Sequence, residues 1–148
     1  MKRRVLITLA AGSVLARPVL AQDNDPLAAA VAAYAQGAPV KPGRVKLQID
    51  ALVDNGNVVP VSVSVDSPMT AADHVTAIAI YNERNPQREV AKFSLGPRAG
   101  KAQVSTRIRL ATSQKLTAIA RLSDCSYWSD TVSVVVALAA CIEGDGMP

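Results

Sequence analysis

Histidine and cysteine are scarce in this chain of 148 residues, which has one histidine, His74, and two cysteines, Cys125 and Cys141. One imidazole cannot serve a Ser/His/Asp or Cys/His arrangement with confidence, and no second metal ligand lies near it in the sequence. A glycine-rich phosphate loop is also absent. Paired carboxylates such as Asp124 and Asp130 are more simply turn and surface residues. We therefore predict no self-contained active site, no metal site and no cofactor.

Long apolar runs are absent as well, because the apolar stretch 5–15 is too short to span a membrane. It follows the positive segment 1–4 and precedes the small residues 19–21, the pattern of a secretory signal. The sequence thus predicts a cleavable signal peptide over residues 1–21, export from the cytoplasm and no membrane span. The pair Arg3-Arg4 fits the twin-arginine route, but such pairs are common in ordinary signals, so the route stays open.

The excess of positive charge belongs to this signal. The chain has 16 basic and 12 acidic side chains, and four of the basic ones, Lys2, Arg3, Arg4 and Arg17, lie within the first 21 residues. The remaining chain is balanced at 12 of each sign. Charge therefore gives no reason to expect nucleic-acid binding.

Residues 22–138 are predicted to form one domain that is almost entirely β. Asp25 and Pro26 are typical of a helix start, and an alanine-rich run follows to Ala35, with Leu27, Val31 and Tyr34 on one face. Seven alternating segments separated by turn formers then predict strands at 45–49, 59–65, 75–81, 89–94, 102–110, 116–122 and 127–136. This spacing indicates an immunoglobulin-like antiparallel β-sandwich, with one face of each sheet buried and the other solvated.

The segment 104–110 illustrates the alternation. Val104, Thr106, Ile108 and Leu110 are predicted to face the core, whereas Arg107 and Arg109 face outward. The simplest interpretation is that both arginine side chains are exposed to solvent. The alternative is that they contact a partner protein or an anion.

The final segment, 139–148, has too few apolar residues to build structure of its own, and we call it the arm. Cys141 lies within it, so its thiol is predicted to be accessible and reactive. An incidental cysteine or half of a disulfide is the simpler alternative. A strand over 127–136 would span roughly 33 Å, and residues 137–141 can return at most about 17 Å. Because a disulfide needs Cα atoms within about 7 Å, a bridge between Cys125 and Cys141 is not expected.

Four segments closely resemble the SoxY family, the carrier subunit of the bacterial periplasmic sulfur-oxidation (Sox) system. They are 55–61 (NGNVVPV), 65–70 (VDSPMT), 85–86 (NP) and 104–111 (VSTRIRLA), within a likeness that covers essentially all of the exported chain. The resemblance implies an immunoglobulin-like fold, a heterodimer with a SoxZ-like subunit and no catalysis. It also implies that sulfur intermediates are attached to an arm cysteine, here Cys141, and passed among periplasmic Sox-type enzymes.

The arm departs from the family pattern. SoxY carriers end in Gly-Gly-Cys-Gly-Gly, whereas Ala139, Ala140, Ile142 and Glu143 surround Cys141 here. This looks like a SoxY-related branch with an "AACIE" arm. The added side chains stiffen and thicken the arm, and the Glu143 carboxylate should disfavour a nearby thiolate or anionic adduct. A second departure is Cys125, which replaces a glycine that the family usually has after aspartate in a turn.

Three functions remain open. The first is a covalent carrier with cargo on Cys141. The second is a structural or interaction module that keeps the carrier fold without its chemistry. The third is soft-metal binding through Cys141 and Met147, because thiolate and thioether suit Cu(I).

Overall fold

Two β-sheets packed face to face make up the body of the structure, a computed structural model that describes residues 25–138. Its elements are α1 (Pro26–Tyr34), β1 (Val40–Pro42), β2 (Val45–Gln48), β3 (Leu52–Asn55), β4 (Val59–Val65), β5 (Val75–Asn82), β6 (Glu89–Ser94), β7 (Gln103–Ile108), β8 (Gln114–Leu122) and β9 (Tyr127–Leu138), with a single 3-10 turn at Pro97–Ala99. One sheet has the order β1-β9-β8-β5-β6, with β3 also paired to β9, and the other has the order β2-β4-β7. The predicted immunoglobulin-like sandwich is confirmed.

All seven predicted strands are present, with ends that move by a few residues. β1 and β3 are additional, and both run parallel to β9. They are only three and four residues long, too short for alternation to be recognised. Every other pairing is antiparallel.

Alternation places the core between the sheets. In β4, Val59, Val61, Val63 and Val65 are all buried, and the residues between them are more exposed. β5 and β8 supply the facing layer, which includes Ile78, Ile80, Leu116 and Leu122. These branched side chains remove apolar surface from water on both inner faces, which is the main contribution that holds the sheets together.

Helix α1 covers part of the outer face of the larger sheet. Asp25 caps it by accepting a hydrogen bond from the Leu27 amide at 2.9 Å, as predicted, and Pro26 occupies its first position. The ring of Tyr34 packs edge-on against Tyr81 and Tyr127, with centroids 6.0 and 5.9 Å apart. Burial raises the pKa of Tyr34. The expectation that each outer face is solvated is therefore wrong beneath this helix.

Strand β9 connects the two ends of the sandwich. Its twelve residues are paired with β8 on one edge, and β1 and β3 share the other edge. The arm-proximal end is the one where β9 finishes at Leu138, and it comprises Leu138, the turn 55–58 and the loops 83–88 and 109–113. The arm-distal end comprises the segment 66–74, the loop 95–102 and the turn 123–126. No helix among residues 25–138 is long and apolar enough to cross a membrane.

Candidate functional site

The predicted carrier residue Cys141 and its arm neighbours Ala139, Ala140, Ile142 and Glu143 lie outside the described residues. The signal peptide over 1–21 and Met147 lie outside them too. The structure does describe the place from which the arm departs, at Leu138. The candidate site is therefore the arm-proximal end, built from the residues that hold Leu138 and from those beside it.

Leu138 is fixed by hydrogen bonds to the turn between β3 and β4. The Gly56 amide donates to the Leu138 carbonyl at 2.8 Å, and the Leu110 amide donates to the Gly56 carbonyl at the same distance. Asn55 is paired with Leu138 in the β3–β9 register. The Ser113 hydroxyl accepts the Val136 amide at 2.8 Å. The origin of the arm is thus tied to the ends of three other strands.

Asn85 joins the loops of this end. Its side-chain nitrogen donates to the Arg109 carbonyl at 2.8 Å, and its side-chain oxygen accepts from the Ala111 amide at 3.0 Å and from the Gln114 side chain at 2.7 Å. Its own amide donates to the buried Asn82 side chain at 3.1 Å. Sequence reasoning missed Asn82 and Gln114, because nothing local distinguishes a buried amide from an exposed one. Together they hold the loop 109–113 beside the arm origin.

Arg107 and Arg109 face outward, as the alternation predicted, and both are exposed. They line one cleft of about 280 Å³ between the edge strands β6 and β7. Glu89 also lines this cleft, and it pairs with Lys92 at 2.7 Å, the one salt bridge among residues 25–138. The structure therefore brings both arginines to the arm-proximal end, but with no carboxylate partner in the described part of the chain.

Four exposed apolar side chains lie on β3, on the C-terminal part of β9 and in the turn that precedes β4. Leu52, Val58, Val135 and Leu138 are 63%, 59%, 54% and 62% exposed, and they are the large apolar residues so exposed between residues 25 and 138. Leu52 and Val135 are register partners on β3 and β9. We call these four residues the apolar strip. Neighbouring exposed apolar side chains, such as those of Leu52 and Val135, mark protein contacts.

Cys125 lies at the arm-distal end, far from this site. It is exposed and adopts a left-handed backbone with φ 64°, as expected if its turn requires positive φ. The Arg121 Nη2 atom lies 3.8 Å from its Sγ atom. Since β9 spans about 36 Å, and the three residues from Leu138 to Cys141 reach at most about 11 Å, the two cysteines of one chain cannot form a disulfide.

Other residues singled out from the sequence have structural roles. The His74 ring lies 3.0 Å from the Thr70 carbonyl, and no three His, Cys, Asp or Glu side chains within 25–138 are grouped as metal ligands. Asp130 accepts the Leu47 amide at 2.9 Å, which joins the two sheets. Asp124 accepts both the amide and the hydroxyl of Ser126, and these bonds lower the pKa of Asp124.

These features define a class of protein: a β-sandwich whose last strand ends three residues before a cysteine, with no metal-ligand cluster among its described residues. The family described as "Sulfur oxidation protein SoxY" matches residues 30–141. The chain belongs to this SoxY family, and the match includes Cys141. A search of the curated proteins found no match.

Solved structures agree with the fold. The sulfur carrier protein SoxY from Chlorobium limicola f thiosulfatophilum is similar at 28% identity and a TM-score of 0.61, over 74% of this chain and 94% of that one. A superoxide reductase (neelaredoxin) from Ignicoccus hospitalis is similar at 22% identity and a TM-score of 0.56, over 64% and 80%. The superoxide reductase from Nanoarchaeum equitans is 13% identical with a TM-score of 0.55, over 65% and 100%. At such identities the two reductases show a shared fold alone.

Proposed function

We propose that this protein is a periplasmic sulfur carrier, exported by its signal peptide, that holds a sulfur-containing intermediate covalently on Cys141 and presents it to Sox-type enzymes. It acts as a carrier rather than as an enzyme. The observation on which this rests is the SoxY family match over residues 30–141, which extends to the arm cysteine. The similarity to the sulfur carrier protein SoxY of Chlorobium limicola f thiosulfatophilum supports the same role.

The arm origin supports delivery by a short tether. A hydrogen bond from the Gly56 amide holds the Leu138 carbonyl in place, and Cys141 follows three residues later. Its Cα atom must therefore stay within about 11 Å of that of Leu138. A group on such a tether is presented to each docked enzyme at high effective concentration, because the search volume is small.

We propose a SoxZ-like subunit as the partner, docked on the apolar strip. Leu52 and Val135 form a pair of exposed apolar side chains on neighbouring strands, next to the arm origin. Docking there would remove this surface from water and would leave the arm at the edge of the interface, where visiting enzymes can reach it.

The size and charge of the arm side chains determine which enzymes can bind the arm. Ala139, Ala140 and Ile142 replace the slender glycines of the family pattern, and Glu143 adds a negative charge near the sulfur. We assign the chain to the AACIE-arm branch on this basis. The enzymes that accept this arm should have channels wider than those that fit a glycine arm. These channels should also place a cationic side chain near Glu143.

Intact-mass analysis of protein taken from the periplasm of cells oxidising thiosulfate tests the carrier role. We expect a mass increase that a thiol reductant removes, that Cys141→Ser abolishes and that Cys125→Gly leaves unchanged. Cells with Cys141→Ser should lose the sulfur oxidation that depends on this protein. An unmodified Cys141 under all conditions, together with normal oxidation by Cys141→Ser cells, would overturn the proposal.

The altered arm favours a second candidate, a structural module of a SoxYZ-like complex without carrier chemistry. An exchange of 139–143 for Gly-Gly-Cys-Gly-Gly distinguishes the two. If the altered arm alone prevents the carrier chemistry, the exchanged protein should gain activity with standard Sox enzymes, while Cys141 of the natural protein stays unmodified. Modification of natural Cys141 excludes this candidate.

A further inference from the structure

The open side of the sandwich carries a cleft that the carrier role does not account for. β6 and β7 are the edge strands of their sheets, and they border it together with the loop 83–88. Val90 and Ala91 line it from β6, and Arg107 lines it from β7, with Arg109, Asn85 and Gln87 at the arm-proximal end. Its volume of about 280 Å³ suits a small molecule or ion.

Its charge is positive and unneutralised. Arg107 and Arg109 are two residues apart on one edge, so their side chains leave the strand on the same side, about 7 Å apart. Neither guanidinium makes a salt bridge or hydrogen bond within residues 25–138, and the neighbouring Glu89 carboxylate is already paired with Lys92. Asn85 is committed to Arg109, Ala111 and Gln114. The two guanidinium groups are therefore the charged donors that remain for a ligand.

The cleft also lies close to the arm origin. Arg109 directly precedes Leu110, whose amide is joined to the Leu138 carbonyl through the two hydrogen bonds of Gly56. The Arg109 side chain extends several ångströms from its backbone, and the three residues that follow Leu138 extend several ångströms from the arm origin. Because Arg109 lies one residue and two hydrogen bonds from the arm origin, a group carried on Cys141 is a candidate occupant of the cleft.

We propose that this cleft binds a small oxoanion of the sulfonate class, held by Arg107 and Arg109. The planar guanidinium fork matches two oxygens of such a group, and two adjacent forks can hold all three. Val90 and Ala91 exclude water from one side, which strengthens the charge-assisted hydrogen bonds. The anion comes either from solution or from the end of a group on Cys141, and the second source rests on the proposed carrier function.

Titration of full-length Cys141→Ser protein with thiosulfate at constant ionic strength tests the site without covalent chemistry. We expect NMR shifts at the amides and Nε groups of Arg107 and Arg109. Each of Arg107→Gln and Arg109→Gln should weaken binding about tenfold, the loss of one charge-assisted contact. Arg98→Gln removes the same charge from the 3-10 turn at the arm-distal end and should bind thiosulfate normally. Thermal unfolding checks that every variant is folded.

Loading Cys141 distinguishes the two sources. In Cys125→Gly protein, the Cys141 thiol loses its proton to solvent, and the resulting thiolate attacks a central sulfur of tetrathionate. The central S–S bond breaks, a new S–S bond forms to Cys141, and thiosulfate leaves with the electron pair, so that the arm ends in a sulfonate. If the arm supplies the ligand, this protein shows the Arg107 and Arg109 shifts with no probe added and binds free thiosulfate much more weakly. If solution supplies it, affinity for free thiosulfate is unchanged.

An absence of thiosulfate binding, or an equal loss in Arg98→Gln and Arg107→Gln, would overturn the proposal. Both outcomes are independent of the carrier role, because the Cys141→Ser protein has no thiol on its arm. Conversely, failure to find Cys141 modified in cells would contradict the proposed carrier function but would not change the result of the thiosulfate titration.

Discussion

The two ends of the sandwich are held together by different kinds of hydrogen bond. At the arm-proximal end, the side chains of Asn82 and Gln114 are only 1% and 5% exposed. Asn82 accepts from the Asn85 amide in the adjoining loop, and Gln114 accepts from the Arg84 amide, 30 residues away. At the arm-distal end, hydroxyl groups such as that of Ser123 make bonds that are exposed or only half-buried. Water reaches the Ser123 hydroxyl more readily than it reaches the buried side chains of Asn82 and Gln114. The end that carries the arm therefore has the more buried set of hydrogen-bonding side chains.

Asn85→Ala tests this difference most directly, because it removes side-chain hydrogen bonds at the arm-proximal end. It removes the acceptor of the half-buried Ala111 amide, one of the two acceptors of the Gln114 side-chain nitrogen, and the donor to the Arg109 carbonyl. We expect the free energy of unfolding to fall by about 3 kcal/mol. Chemical denaturation monitored by circular dichroism measures it. Ser123→Ala also removes two hydrogen bonds, but at the arm-distal end, and should cost less than about 1 kcal/mol. Equal losses would show that the two ends do not differ.

Val135→Asp sharpens the comparison at the apolar strip. The side chain is 54% exposed, so we expect little change in stability. A charge in an apolar contact should weaken binding of a SoxZ-like subunit at least about tenfold. Calorimetry with the purified partner measures this. Ser94→Asp, exposed on β6, is the control and should bind normally. Normal binding by Val135→Asp would place the partner elsewhere.

Cys125→Gly is expected to stabilise the arm-distal end, whereas the preceding substitutions weaken stability or binding. The left-handed φ of 64° is strained for a cysteine and is relaxed for glycine. The substitution should raise the free energy of unfolding by about 1 kcal/mol, less the weak contact with Arg121. Cys125→Ser keeps the strain and should leave stability nearly unchanged. A loss of stability in Cys125→Gly would mean that the sulfur contact with Arg121 outweighs the backbone strain.

The smallest expected effect concerns Asp124. Hydrogen bonds from Ser126 lower its pKa below the ordinary value of 3.8. A carboxylate with a lowered folded pKa stabilises the fold above its unfolded pKa, and this contribution disappears as pH falls through the folded value. Below about pH 4 the wild type should lose stability slightly faster than Asp124→Asn. Asp66→Asn serves as the control, and denaturant midpoints between pH 2 and pH 6 measure the difference. Parallel pH profiles for the wild type and Asp124→Asn would contradict it.

Much of this architecture could be predicted from local patterns. Alternation gave seven strands and the outward direction of Arg107 and Arg109, and the Asp25-Pro26 pair gave the helix start. β1 and β3 could not be predicted, because three or four residues show no periodicity and their pairing is with a distant strand. The cleft beside Arg107 needs β6 as its other wall, and that neighbour is set by tertiary packing. The bridging role of Asn85 is likewise visible only once two loops have met.

The pairing of β9 along both edges has a mechanical consequence. In the proposed carrier role, an enzyme that held the cysteine while the body moved away would put tension on Leu138 along the strand axis. The ladders to β8 and β3 lie across that axis, so their bonds share the load in shear instead of opening one after another. A strand paired on both edges therefore resists such a pull better than a strand paired on one edge would.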